Sequence, residues 1–137
     1  MQTYIIKNQK DLDKFKDDYG YKIDGNAEFE YSACFEGRLL VDGYLYIEAG
    51  ESIKAGGSIE AGWSIEAGWS IEAGGSIEAG ESIKAGESIK AGGSIKAGGP
   101  IKAGDYYGIS AGLSITCKGK LSLGLKAFAG ICSWSIS

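Results

Sequence analysis

Glutamates at a fixed spacing are the residues of this sequence that could most readily do chemistry. They recur every sixth position, at Glu60, Glu66, Glu72 and Glu78. Between positions 60 and 81 every charged residue is acidic, whereas lysine dominates from 84 to 102. Carboxylates that recur with a repeat are ordinarily its solvated positions. A run of them on a rigid scaffold could also bind a basic surface, which makes these four residues candidates for partner binding.

Catalytic chemistry lacks its usual residues. The 137 residues include no histidine, which excludes a Ser-His-Asp or Cys-His pair. The three cysteines (Cys34, Cys117 and Cys132) are widely spaced and form no zinc motif, and the glycines lack the lysine and hydroxyl of a phosphate-binding loop. We therefore expect no catalytic residue, no metal and no cofactor, and we predict that the protein is not an enzyme.

The amino-terminal sequence and the cysteines bear on location. The first residues lack the apolar core of a signal peptide, and no run approaches the ~18 apolar residues of a membrane span. Unpaired cysteines of this kind are typical of reduced thiols in a reducing compartment. We expect a cytoplasmic protein with no membrane partner.

Aromatic residues at variable positions are the second set of candidates. Trp63 and Trp69 lie six residues apart, at the same position of two consecutive six-residue repeats. Exposed tryptophans are enriched at protein-protein hot spots. Alternatively, each indole lies flat over neighbouring glycines. Asp105, Tyr106 and Tyr107 interrupt the repeat and form a second candidate patch.

A hexapeptide repeat must position these groups. Isoleucine recurs every six residues from 47 to 101, in units such as IEAGWS and IKAGGS. Six residues are too few for a helical repeat, and a glycine in each would destabilise a helix by roughly 1 kcal/mol. A short strand and a tight turn fit better, with Ile and Ala inside, Ser and Glu or Lys outside. Glycine would form the corner, where we expect a positive φ angle.

The array resembles the hexapeptide-repeat left-handed parallel β-helix family. That resemblance implies a mainly β fold, a β-solenoid with three sides and about 18 residues per coil. It departs from the family two residues before the isoleucine, where this chain has Gly, Trp or Glu from Ile53 to Ile101. An 18-residue coil would place Glu66, Glu72 and Glu78 beside Lys84, Lys90 and Lys96, but a 24-residue coil pairs charges equally well. The acyltransferases of this family use a histidine base, which is absent here.

The flanking segments predict caps. Residues 1–20 should form a short strand and a capping helix over 9–19, with Asn8 as N-cap and Gly20 as its end. That helix could instead bind a partner. Residues 21–46 should form irregular first coils, 47–104 the regular solenoid, and 105–137 a bulge, final coils and an apolar end. This end would cap the core or form a homodimer edge through Phe128, Ile131, Trp134 and Ile136.

The leading functional hypothesis is a non-enzymatic binding protein. Its partner would be another protein rather than nucleic acid, because the net charge is −4. A concrete version is an inhibitor from a phage or mobile element that occupies the basic groove of a nucleic-acid-binding defence enzyme. A self-assembling structural solenoid is the alternative. An acyltransferase-like enzyme is disfavoured by the missing histidine, and ice binding by the charged outward positions.

Overall fold

The chain folds as a parallel β-solenoid of about six turns. Its computed structural model describes residues 1–105, 107–124, 127–129 and 131–134. One short helix, α1 (Gln9–Asp13), lies near the amino terminus of the described chain. The strands of the first part are β1 (Thr3–Ile6), β2 (Lys16–Asp17), β3 (Gly20–Ile23), β4 (Asn26–Phe29), β5 (Ala33–Phe35), β6 (Arg38–Val41) and β7 (Leu45–Ile47). Those of the repeats and the last coils are β8 (Ile53–Ala55), β9 (Ile59–Ala61), β10 (Ile65–Ala67), β11 (Ile71–Ala73), β12 (Ile77–Ala79), β13 (Ile83–Ala85), β14 (Ile89–Ala91), β15 (Ile95–Ala97), β16 (Ile101–Lys102), β17 (Ile109–Ala111), β18 (Ser114–Cys117), β19 (Leu121–Ser122), β20 (Ala127–Phe128) and β21 (Ile131–Trp134).

Three sheets form the sides of the solenoid. Face 1 consists of β1, β4, β7, β10, β13, β16 and β19; face 2 of β5, β8, β11, β14, β17 and β20; face 3 of β2, β3, β6, β9, β12, β15, β18 and β21. From β3 onward the chain moves to the next face after each strand, so each strand from β3 to β18 pairs in parallel with the one three positions later. We call the turns corner 3/1, corner 1/2 and corner 2/3, after the two faces that each joins.

The register confirms an 18-residue coil and excludes the 24-residue alternative. Ile65 pairs with Ile83 and Ile83 with Ile101. The three expected rungs are present as neighbours, Glu66 beside Lys84, Glu72 beside Lys90 and Glu78 beside Lys96. The prediction of three sides is therefore confirmed.

Isoleucine and alanine fill the interior as expected. Every isoleucine of the array from Ile53 to Ile101 is at most 1% exposed, and the alanines two positions later are nearly as buried. Large and small residues exchange places in the first coils, where Ala27 precedes Phe29 and Ala33 precedes Phe35. One large and one small side chain per strand therefore fill the same narrow core in either order.

The array begins in a different register from the one its sequence suggests. Ile47 occupies the alanine position and Leu45 the isoleucine position, since Leu45 pairs with Ile65 and Ile47 with Ala67. Glu66 consequently lies beside Tyr46 and not beside Glu48. The coil from Leu45 to Ile65 is two residues longer than 18 because the turn before Ile53 is extended. The predicted bulge near residue 105 is a second extension at the same corner 1/2, because Ile109 pairs with Ile89.

The helix prediction over residues 9–19 was too long. Asn8 caps α1 as expected, its side chain accepting a hydrogen bond from the Asp11 amide. The helix ends at Asp13, and β2 then pairs antiparallel with β3. The backbone groups of Lys16 and Asp17 pair with the edge strand β3 of face 3 and so are not available to extend the helix. Leu12 is fully buried and Phe15 packs against the core. Tyr19 is 74% exposed, so the cap ends before that residue.

At the carboxyl end, β19, β20 and β21 continue the three faces. The side chains of the predicted cap or dimer edge (Phe128, Ile131, Trp134 and Ile136) lie outside what the structure describes, as does Tyr106. Among the residues described, no helix has the length and hydropathy needed to cross a membrane.

Candidate protein-binding face

The predicted carboxylates are distributed around the solenoid and do not gather on one side. Glu66 lies on face 1, Glu72 on face 2, and Glu60 and Glu78 on face 3, where they are direct neighbours. The acidic run in the sequence is thus a ring around one coil. The following lysines form a second ring, because Lys84, Lys90 and Lys96 succeed these residues on faces 1, 2 and 3.

The two tryptophans border the same face from opposite sides. Trp63 lies at corner 3/1, between β9 and β10, and Trp69 at corner 1/2, between β10 and β11. The Trp63 amide donates to the Gly43 carbonyl, but the Trp69 amide donates to that of Glu51. Because the indoles are 47% and 51% exposed, they remain available for contact.

Corner 1/2 carries a column of glutamates and aromatic residues. Glu51, Trp69 and Glu87 follow one another, joined by backbone hydrogen bonds from each amide to the carbonyl one coil before. The Gly104 amide extends the column by donating to the Glu87 carbonyl, and Tyr107 follows in the same turn. A hydrogen bond to the Glu87 carboxylate raises the pKa of the Tyr107 phenol. Asp105 is exposed in this turn, so the described residues of the second predicted patch, Asp105 and Tyr107, share corner 1/2 with Trp69.

Exposed apolar side chains concentrate around face 1. Among the residues whose side chains are described, eight large hydrophobic ones are substantially exposed. Five of these lie on face 1 or at its two corners: Ile5, Tyr46, Trp63, Trp69 and Tyr107. Tyr19 lies instead beside Arg38, and Leu113 at corner 2/3. This surface, which we call the aromatic face, consists of face 1 with corners 3/1 and 1/2.

The charged corner residues that border the aromatic face are glutamates in the regular coils. Glu81 follows Trp63 at corner 3/1, whereas Glu51 and Glu87 flank Trp69 at corner 1/2. On the face itself, Glu28 and Glu66 lie on either side of Tyr46, and Lys84 and Lys102 follow. The amino-terminal part of the aromatic face is therefore acidic, and its basic groups lie further along the axis.

A shallow groove occupies this acidic part. It has a volume of about 350 Å³ and is lined by Glu28, Tyr44, Leu45, Tyr46, Ser64 and Glu66. The Tyr44 hydroxyl donates to Glu28 Oε1 at 2.7 Å, and this hydrogen bond raises the pKa of Tyr44. Three residues of this groove were not predicted from the sequence: Glu28, Tyr44 and Tyr46. The recurrence of Asp-Gly at 24–25 and 42–43 was the available signal, since the Gly43 amide donates to the Gly25 carbonyl one coil away.

Corner 2/3 differs from the other two because its variable positions in the regular coils are glycines, which have no side chain. Gly57, Gly75 and Gly93 succeed one another there. The adjacent serines form a ladder, in which the Ser76 amide donates to Ser58 Oγ and the Ser94 amide to Ser76 Oγ, both at 3.0 Å. Serine thus has a structural role in the repeat. The surface differs from corner to corner because of the residues at the variable positions.

No group of three or more Cys, Asp or Glu side chains in the described part of the chain is arranged to hold a metal ion. Comparison with protein-family models, with curated proteins and with solved structures finds no match to this chain.

Proposed function

We propose that this solenoid is a non-enzymatic binding protein whose aromatic face holds a basic surface of another protein. The observation that carries the proposal is the placement of Trp63 and Trp69 at the two borders of one face. Together with Tyr46 and Tyr107, they provide large exposed side chains on one surface. Aromatic residues of this kind supply most of the binding energy in many protein interfaces.

Charge supports a basic partner. The carboxylates of Glu51, Glu81 and Glu87 alternate with the aromatic residues along the two corners. A lysine or arginine of the partner could pair with a carboxylate and contact an adjacent aromatic ring. The backbone ladder of the parallel coils also holds the surface in shape before binding, which reduces the entropy lost on association.

An inhibitor of a nucleic-acid-binding enzyme is one partner class within this proposal. The basic groove of such an enzyme would complement the acidic part of the aromatic face. The ring arrangement of Glu60, Glu66, Glu72 and Glu78 does not imitate a line of phosphates, since only Glu60 and Glu78 succeed each other on one face. We therefore assign recognition to the aromatic face, which includes Glu66, and not to the ring as a whole.

Substitution of the tryptophans tests the proposal. A partner captured from the native cell and identified would be purified, and its dissociation constant measured by calorimetry. The double variant Trp63→Ala/Trp69→Ala should weaken binding at least about 30-fold, since a hot-spot residue contributes roughly 2 kcal/mol or more. The matched control is Leu113→Ala, which removes a 62% exposed apolar residue at corner 2/3.

The control variant should bind like the unmodified chain. Equal binding by the double tryptophan variant, or equal weakening by Leu113→Ala, would contradict the placement of the interface. Circular dichroism of each variant would verify that the solenoid is intact.

We further propose that the chain is a left-handed member of the hexapeptide-repeat solenoids and acts in the cytoplasm. Support comes from the 18-residue coil of three hexads, seen in the Ile65–Ile83 pairing, and from the unpaired state of Cys34 and Cys117. Fractionation of the native cell would test the location: recovery of the protein outside the cytoplasmic fraction would contradict it.

A further inference from the structure

The groove on the aromatic face has the chemistry of a receptor for one basic side chain. Its lining is mostly apolar, and the Leu45 side chain beneath it points into the core. Tyr46 lies at its centre and is 39% exposed. Glu28 and Glu66 are the cross-strand neighbours of Tyr46, one on each side. Their backbones are therefore separated by two strand spacings, about 10 Å.

The carboxylates of Glu28 and Glu66 differ in the contacts that they make with neighbouring residues. Glu28 is fixed by the Tyr44 hydroxyl. Glu66 has Lys84 as its other neighbour. Within the described residues, however, the only ion pair among the outward positions of the regular coils joins Lys54 to Glu72 on face 2. Glu66 therefore keeps its carboxylate available for a cation that approaches from the groove.

We infer that this groove binds a single arginine side chain of the partner protein, with the guanidinium between Glu28 and Glu66 and against Tyr46. A planar guanidinium suits this arrangement because it pairs with carboxylates and stacks on aromatic rings. Its aliphatic stem would lie along the apolar lining of the groove. This inference rests on the proposed function and names the chemistry by which the aromatic face would recognise its partner.

The test uses a small cation and no partner protein, so its outcome is separate from that of the partner-binding experiment. N-acetyl-arginine amide is titrated into isotopically labelled protein at about 20 mM salt, where surface charges are weakly screened. The neutral analogue N-acetyl-citrulline amide is the control ligand. The expected result is saturable amide shifts at Tyr46, Ser64 and Glu66 with the arginine compound, and none there with the citrulline compound.

Two matched double variants complete the test. Glu28→Gln/Glu66→Gln should raise the dissociation constant of the arginine compound at least about fivefold, since each exposed charge pair contributes modestly. Glu60→Gln/Glu78→Gln removes two neighbouring carboxylates on face 3 and should change the constant less than about twofold. Absence of shifts, shifts spread over all glutamates, or equal weakening by both variants would overturn the inference. An amide spectrum of each variant that matches that of the unmodified protein away from the substitutions would verify its fold.

Discussion

From Gly62 to Gly104, the glycine after each alanine is required by the approach of successive coils. A Cβ atom at Gly80 would lie 2.1 Å from the Gly62 carbonyl oxygen, and one at Gly98 would lie 2.1 Å from that of Gly80. The expectation of positive φ angles at these corners was wrong, because among the described glycines only Gly20, Gly37 and Gly50 have positive φ. Close packing of the backbone, and not an unusual dihedral angle, excludes a side chain.

Two alanine substitutions separate these causes. Gly80→Ala should lower the free energy of unfolding by about 1–3 kcal/mol, the usual cost of overpacking. Gly56→Ala is the matched control, since its Cβ would be 3.3 Å from the nearest atom, Glu36 Cα. Urea unfolding of both variants measures the difference. An equal loss in the two variants would show that contact with the preceding coil is not the cause.

The strands of face 2 form an alternating charge ladder. Lys54, Glu72 and Lys90 succeed one another on β8, β11 and β14, and Lys54 Nζ lies 3.8 Å from Glu72 Oε1. On face 3 the corresponding column is Glu60, Glu78 and Lys96. Cross-strand pairs of opposite charge stabilise a sheet and pairs of like charge destabilise it, so the two ladders should respond differently to the same substitution.

Charge reversal measures this effect. Glu72→Lys converts two favourable pairs into two unfavourable ones and should destabilise the protein by roughly 0.5–2 kcal/mol at low salt. Glu78→Lys exchanges one favourable and one unfavourable pair and should be nearly neutral. Urea unfolding at about 20 mM and about 1 M salt provides the comparison, because screening should remove most of the difference. Equal effects of the two substitutions would mean that the rungs do not interact.

The whole molecule is a stack in which each coil contacts chiefly its two neighbours. The repeated coils have the same buried isoleucines and alanines, and their backbone bonds run to the coils before and after. The stability of such a solenoid is approximately a sum of terms for coils and for the contacts between neighbours. The contributions that coils of identical register make to the free energy of unfolding should therefore add.

Duplication of one coil tests this additivity. A second copy of residues 65–82 inserted after Ser82 should pair in register. It should keep or raise the urea midpoint at about 1 M salt, where repulsion between the duplicated glutamates is screened. It should also raise the m-value, because more surface is exposed on unfolding. The control insertion has the same sequence with its three isoleucines changed to serine. If both insertions destabilise the protein equally, the coils do not behave as interchangeable units.

Sequence periodicity determined the architecture because core positions and corners repeat with it. The six-residue spacing of isoleucine predicted short strands with Ile and Ala inside, and β8 to β15 are such strands. It misplaced the beginning of the array, since residues 47–52 read as a hexad in sequence. Leu45 takes the first core position instead, and Ile47 fills the space that alanine occupies later. Both residues are large and apolar, so only packing against the next coil selects the register.

The grouping of candidate binding residues depended on the tertiary structure. The sequence by itself identified Trp63 and Trp69 as variable positions in an invariant repeat, and Tyr107 as part of its interruption. The three-sided winding then separated carboxylates that are consecutive in sequence, sending Glu66 and Glu72 to different faces. It also brought Glu28 and Tyr46 next to Glu66, because strands that share a face are a full coil apart in the chain. Spacing along the chain thus determined whether each side chain points into the core or outward. The winding of the coils decided which outward residues became neighbours.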